Sequence, residues 1–300
     1  MKLYLDLYIK VLYTLIILMK IESKKVKSFG LLCLSITLLV SLLVSLTPLA
    51  YSSFDTPENK TLIQPQVEQN MSTNATNIIL VHGAWADGSG WSKEIPILMD
   101  GGHRVIAVQL PTHSLSDDVE TVKRAIELVG GPTILVGHSY GGEVITNAGY
   151  NNPNVTGLVY IAAFAPDEGQ SLSSFVDPSK FPKDLFIVDS GGFIYLNPEL
   201  FRESFAHDVD PAEAKVMSIV QKPFNQSIFG EKSGPPAWKQ LPTWYQISEA
   251  DHMIPPDVQR LFAERMNATT LSLNASHASY VSHPNEIAEL ILNATKGSNG

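Results

Sequence analysis

The sequence predicts an α/β domain built on a mainly parallel, doubly wound sheet of about six strands, with a helical cap inserted into it. Three observations carry this prediction. Its short Ile-, Val- and Leu-rich runs are continuous, not alternating, which marks strands buried on both faces. Helix-length segments separate those runs, as crossovers between parallel strands require. One stretch, 166–239, breaks the alternation with many aromatics and a Pro-rich exit at Pro235-Pro236.

The elements follow in order from Asn77. Ile78-Ile79-Leu80-Val81 is a strand ending at His82-Gly83. Trp91 to Met99 reads as a helix stopped by Gly101-Gly102, and Arg104 to Gln109 as a strand closed by Pro111. Asp117-Asp118 caps a helix to about Val129, with Gly130-Gly131 as its stop. Thr133–Val136 is a strand, Glu143–Tyr150 a helix and Val155–Ile161 a strand. Within 166–239, helix-like pieces lie at Pro198–Ser204 and Pro211–Val220. Order resumes with strand Thr243–Ser248, helix Pro256–Met266, strand Thr270–Leu273 and helix Pro284–Leu292. There is no internal repeat.

Residues 1–52 read as a targeting segment. Lys24-Lys25-Val26-Lys27 precedes an uncharged run from Phe29 to Tyr51, the n-region and h-region of an export signal. Small residues at Ala50-Tyr51-Ser52 suit cleavage after Ser52; the run is also long enough for an uncleaved membrane anchor. Both readings stay open, and both place the body outside the cytoplasm. Residues 3–19 are apolar apart from Asp6 and Lys10, so either a second membrane segment or a true start at Met19 fits. Residues 53–76 are polar, without apolar periodicity, and read as a flexible linker to a domain over 77–300. Eight Asn-x-Ser/Thr sequons, from Asn59 to Asn293, agree with export.

Charge and cysteine content exclude several classes. The chain carries 21 Lys and Arg against 30 Asp and Glu, a formal net charge of -9. Beyond residue 52 the imbalance is larger, because six of the lysines but only two of the acids precede it. Such a body repels phosphate backbones, so nucleic acid is not an expected partner. The single cysteine, Cys33, lies in the apolar N-terminal run, so the domain has neither disulfide nor thiolate metal site. No H-E-x-x-H or similar ligand spacing occurs, and neither metal nor cofactor is expected.

Gly137-His138-Ser139-Tyr140-Gly141-Gly142 follows a strand and opens a helix, the setting in which G-x-S-x-G holds a nucleophile on a sharp turn. No Lys follows as a phosphate loop would need. A serine needs a base, and the base an orienting acid, in the chain order Ser, acid, His. Asp251 follows strand Thr243–Ser248 and is the expected acid, with Glu249 the alternative. His277 follows the next strand and is the expected base, with His283 the competitor before Pro284. The backbone N–H groups of Tyr140 and Ala84 are the expected oxyanion donors. His82 is expected to hydrogen-bond its own loop, and Trp85 and Trp91 to pack, Trp85 walling the pocket as well.

Together these residues resemble the α/β-hydrolase superfamily. The likeness is to its small cofactor-free members, the plant methylesterase and hydroxynitrile lyase group and their microbial esterase-like relatives. It rests on Ile79-Leu80-Val81-His82-Gly83-Ala84-Trp85, on Val136 to Gly142, on Leu158 to Pro166, on Asp251 with Ile254-Pro255, and on Ser276-His277 with Ser282 and Pro284. It spans about residues 77 to 295 and implies Ser139, Asp251 and His277 as triad, Ala84 and Tyr140 as oxyanion donors, and 166–239 as a cap. The lyases of that group place a Lys after the catalytic His and a Thr after the first loop's His. Here Ala278 and Gly83 stand there, so hydrolysis is expected over cyanohydrin cleavage. Ser139 also argues against the dehalogenases of the fold, which use an Asp nucleophile.

The expected activity is therefore hydrolysis of small, apolar carboxylic esters. Amides, thioesters and lactones suit the same chemistry, and a non-catalytic ligand-binding protein on this scaffold is the reading from another class.

Overall fold

The computed structural model describes residues 76–297. The targeting segment and almost all of the linker lie outside the described residues. Strand β1 (Asn77–Val81) leads through a 3₁₀ turn, Gly88–Trp91, to helix α1 (Glu94–Asp100) and β2 (Arg104–Ala107). Helix α2 (Leu115–Val129), β3 (Thr133–His138), α3 (Tyr140–Ala148) and β4 (Val155–Ile161) follow. The inserted region contributes β5 (Phe186–Val188), β6 (Phe193–Leu196), α4 (Pro198–Phe205), α5 (Pro211–Val220) and β7 (Phe224–Asn225). The chain closes with β8 (Thr243–Ser248), α6 (Pro256–Arg265), β9 (Thr269–Leu273), the short α7 (Ser279–Ser282) and α8 (Pro284–Gly297).

Six strands form one parallel sheet in the order β2-β1-β3-β4-β8-β9. Residues of β1, β3 and β8 are buried throughout, while the edge strands β2 and β9 are partly exposed. Burial on both faces explains the continuous apolar runs of the inner strands. The register pairs Val81 with Gly137, His138 with Ile161, Ile161 with Gln246, and Ser248 with Leu273. The C-terminal ends of these strands therefore share one rim, where ligands sit in open α/β sheets.

Three differences from the sequence expectation have local causes. Ser114, not Asp117 or Asp118, caps α2, its side chain accepting from the Asp117 N–H. Asp118 instead turns inward and accepts from the Thr112 N–H and the Tyr140 hydroxyl. Helix α3 begins at Tyr140, directly after the glycine-rich turn, rather than at Glu143. The inserted stretch contains the two expected helices but is not purely helical, because β5, β6 and β7 form an antiparallel sheet. Its hairpin turns on Asp189, whose Oδ1 accepts from the N–H groups of Gly191 and Phe193, and on Gly192 at φ 80°. These strands have three, four and two residues, too short to show a period.

Candidate active site

The turn after β3 is strained. Ser139 adopts φ 52° and ψ -123°, which non-glycine residues rarely occupy. The surroundings enforce it: the Ser139 N–H donates to Ile161 O, and Ser139 O accepts from Gly142 and Phe164. Glycine is required at two neighbouring positions. A Cβ on Gly137 would lie 2.5 Å from Gly141 O, and one on Gly83 would lie 2.7 Å from the Ser139 Cβ. The first loop and the serine turn can therefore pack this closely only without those side chains.

Three residues expected to act together meet at this rim. His277 Nε2 lies 2.9 Å from Ser139 Oγ, and His277 Nδ1 lies 2.8 Å from Asp251 Oδ2. The Asp251 carboxylate can only accept, so Nδ1–H donates to it and Nε2 is left to accept from the serine hydroxyl. All three side chains are buried, so access to Ser139 runs through the adjoining cavity. That cavity is lined by Ala84, Trp85, Ser139, Tyr140, Met253 and His277 together with cap aromatics. Ala84 and Tyr140, the expected oxyanion donors, line this cavity together with Ser139. Tyr140 opens α3, so its N–H has no intrahelical partner and lies at the positive end of the helix dipole.

The open alternatives are placed elsewhere. Glu249 pairs with Arg260, not with a histidine. His283 Nδ1 contacts Ser282 Oγ at 2.9 Å and faces Asp208 at 3.9 Å. His82 holds its loop: Leu110 N–H donates to Nε2, and Nδ1 donates to Gly83 O. Burial pushes His82 down to about 4, so it is neutral at ordinary pH. Trp85 walls the cavity and donates from Nε1 to Ile194 O. Trp91 is buried against Tyr280.

Sequence reasoning missed the supports beneath this triad. Asp251 Oδ1 accepts from Met253 and Ile254 N–H groups, and Oδ2 accepts from Gln259 Nε2 at 2.8 Å as well as from His277. Buried Gln259 also accepts from Ser248 N–H and donates to Ile254 O, tying the acid loop to β8. His138 Nε2 donates to the His277 carbonyl at 2.9 Å. Burial, then the neighbouring His277, holds His138 well below the usual histidine range, so it supports His277 without charge. Phe205 packs edge-on against the His277 ring, 4.8 Å between centroids, and its carbonyl accepts from Ala278 N–H. Asp208 accepts from Ser276 N–H and the Ser282 hydroxyl; burial opposes its ionisation, but these bonds hold it below the usual carboxylate range. Among the described residues, no three His, Cys, Asp or Glu side chains are grouped to hold a metal ion.

The chain is similar to known hydrolases and esterases. A pyrethroid hydrolase of Sphingobium wenxiniae is 31% identical over 245 residues, covering 72% of this chain and 86% of that protein. Polyneuridine aldehyde esterase of Rauvolfia serpentina is 24% identical over 251 residues, covering 72% and 94%. The crystal structure of a pyrethroid hydrolase from Sphingobium faniae superposes with a TM-score of 0.64 at 27% identity, over 74% of this chain and 98% of that one. The model of the alpha/beta hydrolase family matches residues 78–290, and the chain belongs to that family.

Proposed function

We propose that this chain is a serine esterase that cleaves uncharged carboxylic esters through an acyl-enzyme. The observation that carries the reading is the unbroken line from Ser139 Oγ through the His277 ring to Asp251 Oδ2. As Ser139 Oγ bonds to the ester carbonyl carbon, His277 Nε2 takes its proton. Asp251 holds the tautomer and stabilises the imidazolium. The Ala84 and Tyr140 N–H groups receive the oxyanion, each contributing on the order of 10²–10³ in rate. His277 then returns the proton to the departing alkoxide. Water attacks the acyl-enzyme, again giving a proton to His277, and the acid leaves as Ser139 Oγ is reprotonated.

Among the described residues, no Lys, Arg, Asp or Glu lines the cavity beside Ser139, which favours an uncharged substrate. Esters are favoured over amides, thioesters and lactones because the relatives include named esterases. A purely ligand-binding role gives no reason for a strained serine hydrogen-bonded to an oriented imidazole. The test is Ser139→Ala, expected to abolish both hydrolysis of p-nitrophenyl acetate and labelling by a fluorophosphonate probe. Full activity in that variant overturns the reading. The basic and apolar pattern of residues 24–51 supports placing this reaction outside the cytoplasm, and a topology reporter fused after residue 76 tests it.

A further inference from the structure

Two cavities lined by residues of the inserted region share Val176, Phe186 and Phe229. The inner one, beside Ser139 and His277, measures about 30 Å³. The outer one, reaching Ser173, Pro178 and Ile194, measures about 250 Å³. An apolar cavity of about 150 Å³ holds a benzene ring, whereas a single water needs roughly 10–15 Å³. The space at the reacting hydroxyl is therefore tight, and the space beyond the shared side chains takes a substituted ring.

The waist between them is held from both sides. Phe186 packs against Phe181 at 5.2 Å and Trp85 at 5.8 Å, and Trp85 is fixed by its bond to Ile194 O. Phe229 meets Phe224 edge-on at 5.5 Å, and Phe224 meets Tyr140 at 4.9 Å. The waist is thus tied through two rings to the residue after the nucleophile. Among the described residues, no Lys, Arg, Asp or Glu lines either cavity.

We infer that the substrate is an asymmetric ester: one large apolar group, at least ring-sized, passes Val176, Phe186 and Phe229 into the outer cavity, and the group on the other side of the ester is small. This rests on the esterase reading above. Val176, Phe186 and Phe229 are then the residues that set substrate size, and the outer cavity supplies apolar binding that a small ester cannot use.

The experiment compares methyl acetate, methyl 3-phenylpropanoate, phenethyl acetate and phenethyl 3-phenylpropanoate on the full chain by pH-stat. One of the two singly substituted esters should exceed methyl acetate at least tenfold in kcat/KM. The doubly substituted ester should fall at least tenfold below the better one. Ser173→Trp, at an exposed position on the outer cavity, should reduce the ratio of the preferred ester to methyl acetate at least fivefold. A flat series, a doubly substituted ester that is best, or an unchanged ratio in a Ser173→Trp protein with unchanged Tm overturns the inference, while labelling of Ser139 leaves the esterase reading standing. Cleavage of none of the esters, with Ser139 unlabelled, overturns both.

Discussion

Asp251 at the rim and two glutamates in the helical layers are all buried, and their surroundings are opposite. At the rim, both Asp251 oxygens are occupied, one by two backbone N–H groups and the other by Gln259 and His277. In the helical layers, Glu94 on α1 and Glu143 on α3 are fully buried, and neither carboxyl has a hydrogen-bond partner in another residue among the described residues. Burial raises Glu94 to about 8 and Glu143 well above the ordinary glutamate range. Burial alone therefore does not make an acid useful. Asp251 also has a set of donors and a histidine beside it, whereas a buried acid without partners takes up a proton and becomes a pH-dependent element of stability.

The sharpest way to break this contrast is to remove the charge at the rim while keeping its shape. Asp251→Asn should lower kcat on the order of 10⁴-fold, because an amide turned to donate would favour the wrong His277 tautomer. Steady-state kinetics on p-nitrophenyl acetate, with Tm as a control for folding, provide the measurement. A loss below tenfold would mean that Asp251 does not orient the base.

A smaller effect is expected one residue shell further out. Gln259→Met removes one donor to Asp251 Oδ2 and leaves the Ser248 N–H unpaired. An N–H left buried without a partner costs about 1–3 kcal/mol of stability. The extra negative charge left on Asp251 should strengthen its hold on imidazolium, so the acidic limb of the kcat/KM profile moves to higher pH. We expect kcat to fall about tenfold with KM little changed, as for a loss of transition-state orientation. An unmoved limb with only a lowered Tm would make Gln259 purely structural.

Legibility in the sequence followed the same divide. The inner strands were visible because burial on both faces leaves continuous apolar runs, and Ser139 because its turn needs glycines at fixed offsets. Chain order then narrowed acid and base to two candidates each. Choosing between them required space: Glu249 differs from Asp251 in sequence by two positions, yet it pairs with Arg260 on α6. Gln259 was invisible because a lone Gln in Pro256–Arg265 reads as part of the solvent face of an amphipathic helix. The buried glutamates were equally silent, since helical periodicity marks a face but not its missing partners. The antiparallel strands of the insertion escaped because a three-residue strand has no period to detect.

The test mildest on rate acts on the other region, where the effect should appear in stability. Unfolded, Glu94 titrates at about 4.3. Folded, burial moves it to about 8, with its own backbone N–H and Lys93 only partly offsetting that rise. Between these values the native state holds a proton that the unfolded chain has released. Stability should therefore fall as pH rises through this window and level off above about 8. Glu94→Gln keeps the shape but cannot titrate, so the part of the decline due to this residue should vanish. At pH 8 the variant should be more stable than the parent by up to about 5 kcal/mol, and below pH 4 the two should converge. In a domain of this size that gain corresponds to roughly 2–4 °C in Tm per kcal/mol, within reach of calorimetry at a series of pH values. Parallel Tm–pH curves for the two proteins would show that Glu94 is ionised when folded, and would remove the contrast with Asp251.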